Sequence, residues 1–444
     1  MAHPKKPPRQ SFLSSDRTLA RIARPLRTFL HTEAAGGIVL LVATVAALGL
    51  ANSPLAEGFE KIWQTELRLS VGAFELTEDL RHFVNDALMA VFFFVVGLEI
   101  KREIVLGELS DRRKAALPAI AALGGMVVPA AVYLLFNAGG PGSAGWGIPM
   151  ATDIAFAVGV LALLGSRVPS GLKVFLLSLA IVDDIGAILV IAVFYSHGFQ
   201  LGWLIGALVL LAGIVVLRRL KVTWTPLYVL VGAGVWFATF ESGIHATIAG
   251  VALGLLTPAR PADPRGYKDV YRETGLLEEQ PDAQSLRAVS LQATEVVSVA
   301  ERLEYLLHPW TSYAVIPLFA LANAGVRLSL DTLGDAMSSP VALGIAAGLV
   351  LGKIVGISSA AWIAVKLNLG RLPAGVSWRV ILGGSAVAGI GFTVSLFIAG
   401  LAFTESQLVD EAKIGVLVAS VVAGTLGALL LLSSNRQRPA EPQE

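Results

Sequence analysis

Long, mostly apolar runs with few charges, separated by more polar segments, set the pattern of this chain. They lie at roughly 34–51, 80–99, 115–136, 147–165, 171–195, 202–217, 225–238, 243–256, 309–327, 340–362, 377–401 and 410–433. Most are about 18–24 residues long, enough for a helix to cross a hydrocarbon core of about 30 Å. The seventh and eighth are shorter. The spacing therefore predicts an all-α polytopic membrane protein with about twelve transmembrane helices.

Composition agrees with that pattern. Of 444 residues, 55% are hydrophobic and only 15% charged, against about one quarter charged in a soluble domain. Cysteine is absent, which excludes disulfides, thiolate chemistry and Cys-ligated metals. The formal net charge of +1 says nothing about partners.

The distribution of positive charge orients the chain. With the N-terminus in the cytoplasm, the outer segments hold only Lys61, Arg68, Arg81, Arg327 and Lys413, and Lys353 lies within a span. Every other Lys and Arg of the 34 falls in an inner segment. This bias follows the positive-inside rule and puts both termini inside.

Three regions result. Residues 1–30 form a basic cytoplasmic tail, 31–433 the transmembrane domain and 434–444 a short cytoplasmic tail. The N-terminal tail is too long and too charged for a secretory signal, and the apolar run after it is full-length, so the first helix is read as retained. Within the transmembrane domain, outer residues 52–79 contain "LRLSVGAFELTED", whose alternation predicts a short β-hairpin. Inner residues 257–308 form a long loop. Its second half, "LRAVSLQATEVVSVAERLEYLLH", has apolar residues near helical spacing and predicts an amphipathic helix at the membrane surface.

The candidate chemistry lies where polar residues interrupt the spans. Asp183 and Asp184 stand in "LAIVDDIGAILV", about 18 Å along the fifth span and too deep to reach water by stretching. A carboxylate there costs at least about 2.5 kcal/mol on the mildest insertion scale. Adjacent helical positions differ by about 100°, so both side chains can border one cavity. A proton or cation site explains such a pair better than simple helix-to-helix bonding.

In "GIPMATDIAFAVGV", Thr152 and Asp153 follow Pro149 and weaken the helix of the fourth span. Broken backbone at membrane depth is tolerated only around a cavity or inside protein. Lys353, in "LVLGKIVGISSAAW", lies about 20 Å into its span and reads as a counter-charge. In the eleventh span, Gly383, Gly384, Gly389 and Gly391 with Thr393 predict a second break. One broken span in each half points to inverted repeats with the site where they meet.

Taken together, these segments resemble the NhaA family of Na+/H+ antiporters. The stretches that carry the resemblance include "NDALMAVFFFVVGLEIKRE", "IPMATDIAFAVGVLALLGSRVP", "LAIVDDIGAILVIAVFY", "SGIHATIAGV", "PLFALANAGV", "GLVLGKIVGI" and "GIGFTVSLFIA", and it runs from about residue 28 to 433. The resemblance implies twelve helices, inverted repeats and two broken helices crossing near mid-membrane. It implies electrogenic, pH-regulated exchange of Na+ or Li+ for H+, without chemical conversion of a substrate and without a cofactor. Carried over by position, Asp184 is the main ligand of the transported Na+. Asp183 is its proton-carrying neighbour, pairing with Lys353 when no cation is bound, and Thr152 adds an oxygen. Asp153 neutralises helix N-terminal ends at the crossing and Lys353 the C-terminal ends, in agreement with dipole signs. Glu99, Lys101, Arg102, Glu103 and Glu304 become the pH-responsive region. His245 matches a family histidine, and Asp86 is read as structural. The implied partners are Na+, Li+, H+, membrane lipid and a second copy joined through residues 66–79, not nucleic acid. The implied location is the plasma (inner) membrane of a prokaryote.

Three departures bear on the pH set-point rather than on transport. The 257–308 loop is longer than the compact family pattern, Tyr305 stands where a second histidine often accompanies His308, and the N-terminal tail is extended. Two other classes fit less well. A Na+-coupled symporter for an organic solute needs a cluster of solute-binding polar residues beside the ion site. An intramembrane aspartyl protease needs a Gly-x-Gly-Asp setting that is absent here.

Overall fold

The computed structural model describes residues 35–71, 74–196, 198–220, 225–260, 297–329, 334, 336 and 338–435. The basic tail 1–30, residues 261–296 of the long inner loop and the chain beyond 435 lie outside the described residues.

Among the described residues, six helices are long and apolar enough to cross a membrane: Leu80–Val105, Arg112–Asn137, Ser170–Phe194, Leu201–Arg219, Pro340–Lys366 and Ser406–Ser434. Counting each bent helix pair as one span raises the number to nine. The chain is a helical, polytopic membrane protein, and the expectation of twelve spans is met only to that extent. Thr225–Glu241 and Thr247–Leu256 are apolar but short. The predicted boundary at 308 is not a helix end. Val299–Trp310 continues through a π-type turn, Thr311–Val315, into Ile316–Asn323. The described end of the expected surface helix is therefore the start of a longer helix.

The outer hairpin forms where the alternation places it. Strand β1, Glu66–Val71, pairs antiparallel with β2, Phe74–Asp79, in a register running from Glu66 opposite Asp79 to Val71 opposite Phe74. Asp79 then opens the next helix by accepting a hydrogen bond from the His82 amide at 2.7 Å, the N-cap role that suits a short acidic side chain.

Three helix pairs are bent at short breaks among the described residues: Ala35–Ala51 with Ala56–Trp63 at 118°, and two others where the sequence interrupts an apolar run. The 3-10 helix Pro141–Met150 and the helix Ile154–Leu164 meet at 43°, and Trp378–Val387 and Phe392–Ala402 meet at 48°. These last two breaks touch: the Asp153 amide donates to the Ile390 carbonyl at 2.6 Å. Irregular backbone here is enclosed by protein, one of the two settings in which a membrane tolerates it.

Packing around the crossing uses small residues, as expected where lipid removes the usual hydrophobic drive between helices. Arg112–Asn137 and Pro340–Lys366 meet backbone to backbone at Gly124 and Gly356, where an added Cβ on either would run into the other's carbonyl. Pro340–Lys366 also contains a π-type turn, Gly348–Gly352, immediately before Lys353. A Cβ on Gly352 would stand 2.8 Å from the Pro129 Cα, so this turn is seated closely on the neighbouring helix.

Candidate cation site

The site is built from four elements. The first break supplies Thr152 and Asp153, the helix Ser170–Phe194 supplies Asp183 and Asp184, Pro340–Lys366 supplies Lys353, and the second break supplies backbone. All five side chains are buried, Lys353 completely.

Lys353 and Asp183 form an ion pair at 2.7 Å between Nζ and Oδ2. Lys353 also donates to the Thr152 hydroxyl at 3.0 Å and to the Met150 carbonyl. An ammonium has three N–H donors, so these partners use them all. Met150 ends the 3-10 segment, where helical carbonyls lack partners. One cation thus neutralises a carboxylate and caps a helix C-terminal end. Thr152 Oγ1 lies 2.7 Å from Asp183 Oδ2 and 2.9 Å from the Ala388 carbonyl, which is at the end of Trp378–Val387.

Asp153 does the converse at N-terminal ends. It caps its own helix by accepting from the Phe156 amide at 3.0 Å. Its other oxygen accepts from the Thr393 amide at 2.9 Å and the Thr393 hydroxyl at 2.6 Å. Gly391, at the cap position of Phe392–Ala402, has no side chain to do this. One carboxylate therefore serves two helix N-termini, as the dipole sign favours.

Asp184 differs from its neighbour. It is 6% exposed, and no hydrogen-bond partner for its carboxylate is found among the described residues. Asp183 Oδ1 likewise has none. Buried polar oxygens are normally bonded, so each unsatisfied one needs an explanation. Glu99 and Asp153 are close enough to act electrostatically on Asp184.

The other sequence candidates fall elsewhere. Arg102 pairs with Glu304 and lies 3.6 Å from Glu103. Burial pushes the Glu304 carboxyl up from its ordinary range, against the pull of Arg102, and Glu304 Oε2 has no bonded partner among the described residues. His245 has a contact at another element. Its Nε2 lies 2.7 Å from the Tyr195 carbonyl, beyond the far end of Ser170–Phe194. Asp86 sits in a π-type turn, Val84–Leu88, and its backbone carbonyl accepts from Trp236 Nε1 at 3.1 Å.

A family model described as Na+/H+ antiporter 1 matches residues 27–431. The chain belongs to this family. It is 50% identical over 431 residues to the Na(+)/H(+) antiporter NhaA of Anaeromyxobacter sp. (strain Fw109-5), covering 95% of this chain and 94% of that one. It is 49% identical over 421 residues to the Na(+)/H(+) antiporter NhaA of Rhodopirellula baltica, covering 93% and 94%. Against the Na(+)/H(+) antiporter NhaA 2 of Sorangium cellulosum it is 49% identical over 440 residues, covering 96% and 93%.

Sequence reasoning missed several polar contacts that hold this family member's site together. Ser395 donates to the Ile148 carbonyl at 2.7 Å, Tyr133 to Gly142 at 2.6 Å and Tyr195 to Ala144 at 2.8 Å. All three acceptors lie on the 3-10 segment. Asn85 and Asn323 exchange amide hydrogen bonds beside Asp86, the closer at 2.8 Å. A hydroxyl or amide in an apolar run was the available signal, but it is weaker than a charge and common in membrane helices.

Proposed function

We propose that this chain is a secondary active transporter exchanging Na+ or Li+ for H+ at the crossing of its two broken spans. One observation carries the reading. Two adjacent buried aspartates stand at the crossing, one neutralised by Lys353 and one without a bonded partner among the described residues, in a chain of the Na+/H+ antiporter family.

Na+ is the substrate here, a hard cation that takes oxygen ligands. Asp184 supplies the anionic oxygen, and Asp183 Oδ1 and the Thr152 hydroxyl add to it. No resident cofactor is required. A bare charge in a dry site is unfavourable, so the pair holds either protons or a cation. The two acids interact, so their titration belongs to the pair and not to either residue. Lys353 holds Asp183 when the cation is absent. States with uncompensated charge change sides poorly, so movement occurs with protons or with Na+ bound. If more than one proton enters per Na+, the membrane potential drives extrusion, contributing about 2.3 kcal/mol per uncompensated charge per 100 mV.

The same reading assigns twelve crossings, counting Thr225–Glu241, Thr247–Leu256 and the run ending at Asn323, with both termini cytoplasmic in a prokaryotic plasma membrane. Glu99, Glu103, Glu304 and His245 are assigned to pH response, Asp86 to structure. The free edges of the outer hairpin suit pairing with a second copy. Deleting residues 66–76 is expected to give monomers that still exchange ions, and a dimer persisting on native gels would contradict that assignment.

The test of the activity is a Na+ pulse applied to vesicles holding the purified protein and a pH-sensitive dye. The wild-type chain is expected to move protons in response. Asp184→Asn keeps the shape and loses the charge, and is expected to give no response while still folding. Normal exchange by that variant would overturn the ligand assignment.

A further inference from the structure

Tyr195 lies one residue beyond Ser170–Phe194, the helix that carries both aspartates. It is 3% exposed, and its phenol makes two hydrogen bonds to the 3-10 segment Pro141–Met150. It donates to the Ala144 carbonyl at 2.8 Å and accepts from the Gly147 amide at 3.1 Å.

Gly147 records the same contact from the other side. A Cβ added there would stand 2.7 Å from the Tyr195 hydroxyl oxygen and 3.0 Å from a ring carbon. The ring has little room to retreat. Trp146 stacks on it at 6.5 Å with 26° between the planes, and Phe194 meets Trp146 edge-on at 5.0 Å. The backbone of Tyr195 is held too, through its carbonyl contact with His245.

The segment gripped by Tyr195 ends at the site. Five residues beyond Gly147, Thr152 bonds Asp183 Oδ2, and between them Met150 offers its carbonyl to Lys353. Tyr195 is twelve residues from Asp183, about 18 Å along the helix. Two of the elements that build the site are therefore joined by hydrogen bonds near both ends of this stretch, at the Asp183 carboxylate and at the phenol. Fixing both ends fixes how far Thr152 and the Met150 carbonyl stand from the aspartates.

We infer that Tyr195 is a positioning residue for the cation site, its hydroxyl setting the register of the Pro141–Met150 segment against the helix of Asp183 and Asp184. Gly147 is the matching position that lets the phenol approach. The inference rests on the reading of the two aspartates as the cation site.

Tyr195→Phe removes both hydrogen bonds and keeps the ring. Gly147→Ala displaces the phenol by bulk and keeps the hydroxyl. Each is expected to raise the Na+ concentration for half-maximal exchange about tenfold, the scale of two lost hydrogen bonds, with a maximal rate near wild type. Because both remove one contact, the double variant is expected to be no worse than either single one. A merely structural role would instead lower the yield or the Tm of folded protein and leave that Na+ concentration unchanged in the folded fraction. An unchanged value in Tyr195→Phe, or effects that multiply in the double variant, overturns the proposal. If Tyr195→Phe does not fold, Gly147→Ala decides alone by the same criterion. Asp184→Asn runs in the same assay. If it still exchanges Na+, the cation-site reading has failed. If it is inactive while Tyr195→Phe and Gly147→Ala are unaltered, only the positioning role has failed.

Discussion

The two breaks that meet at the crossing bring different things to it. The first, Ala151–Asp153, brings side chains: Thr152 touches Asp183, and Asp153 caps helices on both sides of the crossing. The second, Ala388–Gly391, has no polar side chain and contributes the Ala388 and Ile390 carbonyls. Its glycines serve close approach. A Cβ on Gly391 would stand 2.3 Å from the enclosed Ser395 Oγ, 2.9 Å from Leu349 Cδ2 and 3.2 Å from the Ala151 carbonyl, and one on Gly389 would run into the Leu349 carbonyl. Two similar interruptions thus divide the work, one supplying charge and the other a bare backbone near enough to receive it. Similar architecture in the two halves does not require similar chemistry.

The largest effect is expected where the charged side is cut. Lys353→Met strands a buried carboxylate and the Met150 carbonyl, and breaking a buried pair in this way costs about 3–5 kcal/mol. Its Tm in detergent should fall steeply. Asp183→Asn placed in the same chain should recover much of the loss, and a loss that remains in full would mean the ion pair is not what Lys353 stabilises.

Next comes the bare side. Gly389→Ala and Gly391→Ala should each destabilise by about 1–3 kcal/mol through overpacking, since the atoms they meet are backbone or enclosed. Thr152→Val, a change of similar size on the polar side, should instead weaken Na+ affinity with less change in Tm. If both breaks respond alike in both measurements, the division of labour is wrong.

A smaller effect is expected at the contact between the two breaks. Thr393→Val removes the hydroxyl bond to Asp153 and leaves the amide bond, a loss of about 1 kcal/mol. Thr393→Ser should restore it, and thermal unfolding of the two variants makes the check.

The smallest effect lies away from the crossing. Glu304 has a folded-state pKa raised by burial, so the folded chain holds its proton more tightly than the unfolded chain does. Stability should therefore fall as pH rises from the ordinary carboxylate value through the raised one. Glu304→Gln cannot titrate and should flatten that fall in a series of Tm values against pH.

Charge was the most legible feature of this site in the sequence. Asp153, Asp183, Asp184 and Lys353 each stood out because a charge in an apolar run is expensive, and the structure brings all four to one place. The breaks were legible through Pro149 and the glycines of 383–391. The hairpin followed from its alternation. Tyr195, Ser395 and Tyr133 were not legible, because one hydroxyl among apolar neighbours looks the same whether it meets a distant carbonyl or its own helix. The continuous helix through 308 was hidden for a different reason. The amphipathic pattern ends at 308 and a separate apolar run begins at 309, whereas a π-type turn at Thr311–Val315 carries one helix on to Asn323.

The central claim is that protons and Na+ compete for one pair of carboxylates in an electrogenic exchange, with more than one proton entering per Na+. Current from membranes carrying the pure protein, recorded over a range of pH and Na+ concentration, tests it most directly. The expected result is a measurable current whose apparent Na+ affinity rises with pH and then levels off. Absence of current, or a Na+ affinity that does not change with pH, would contradict it.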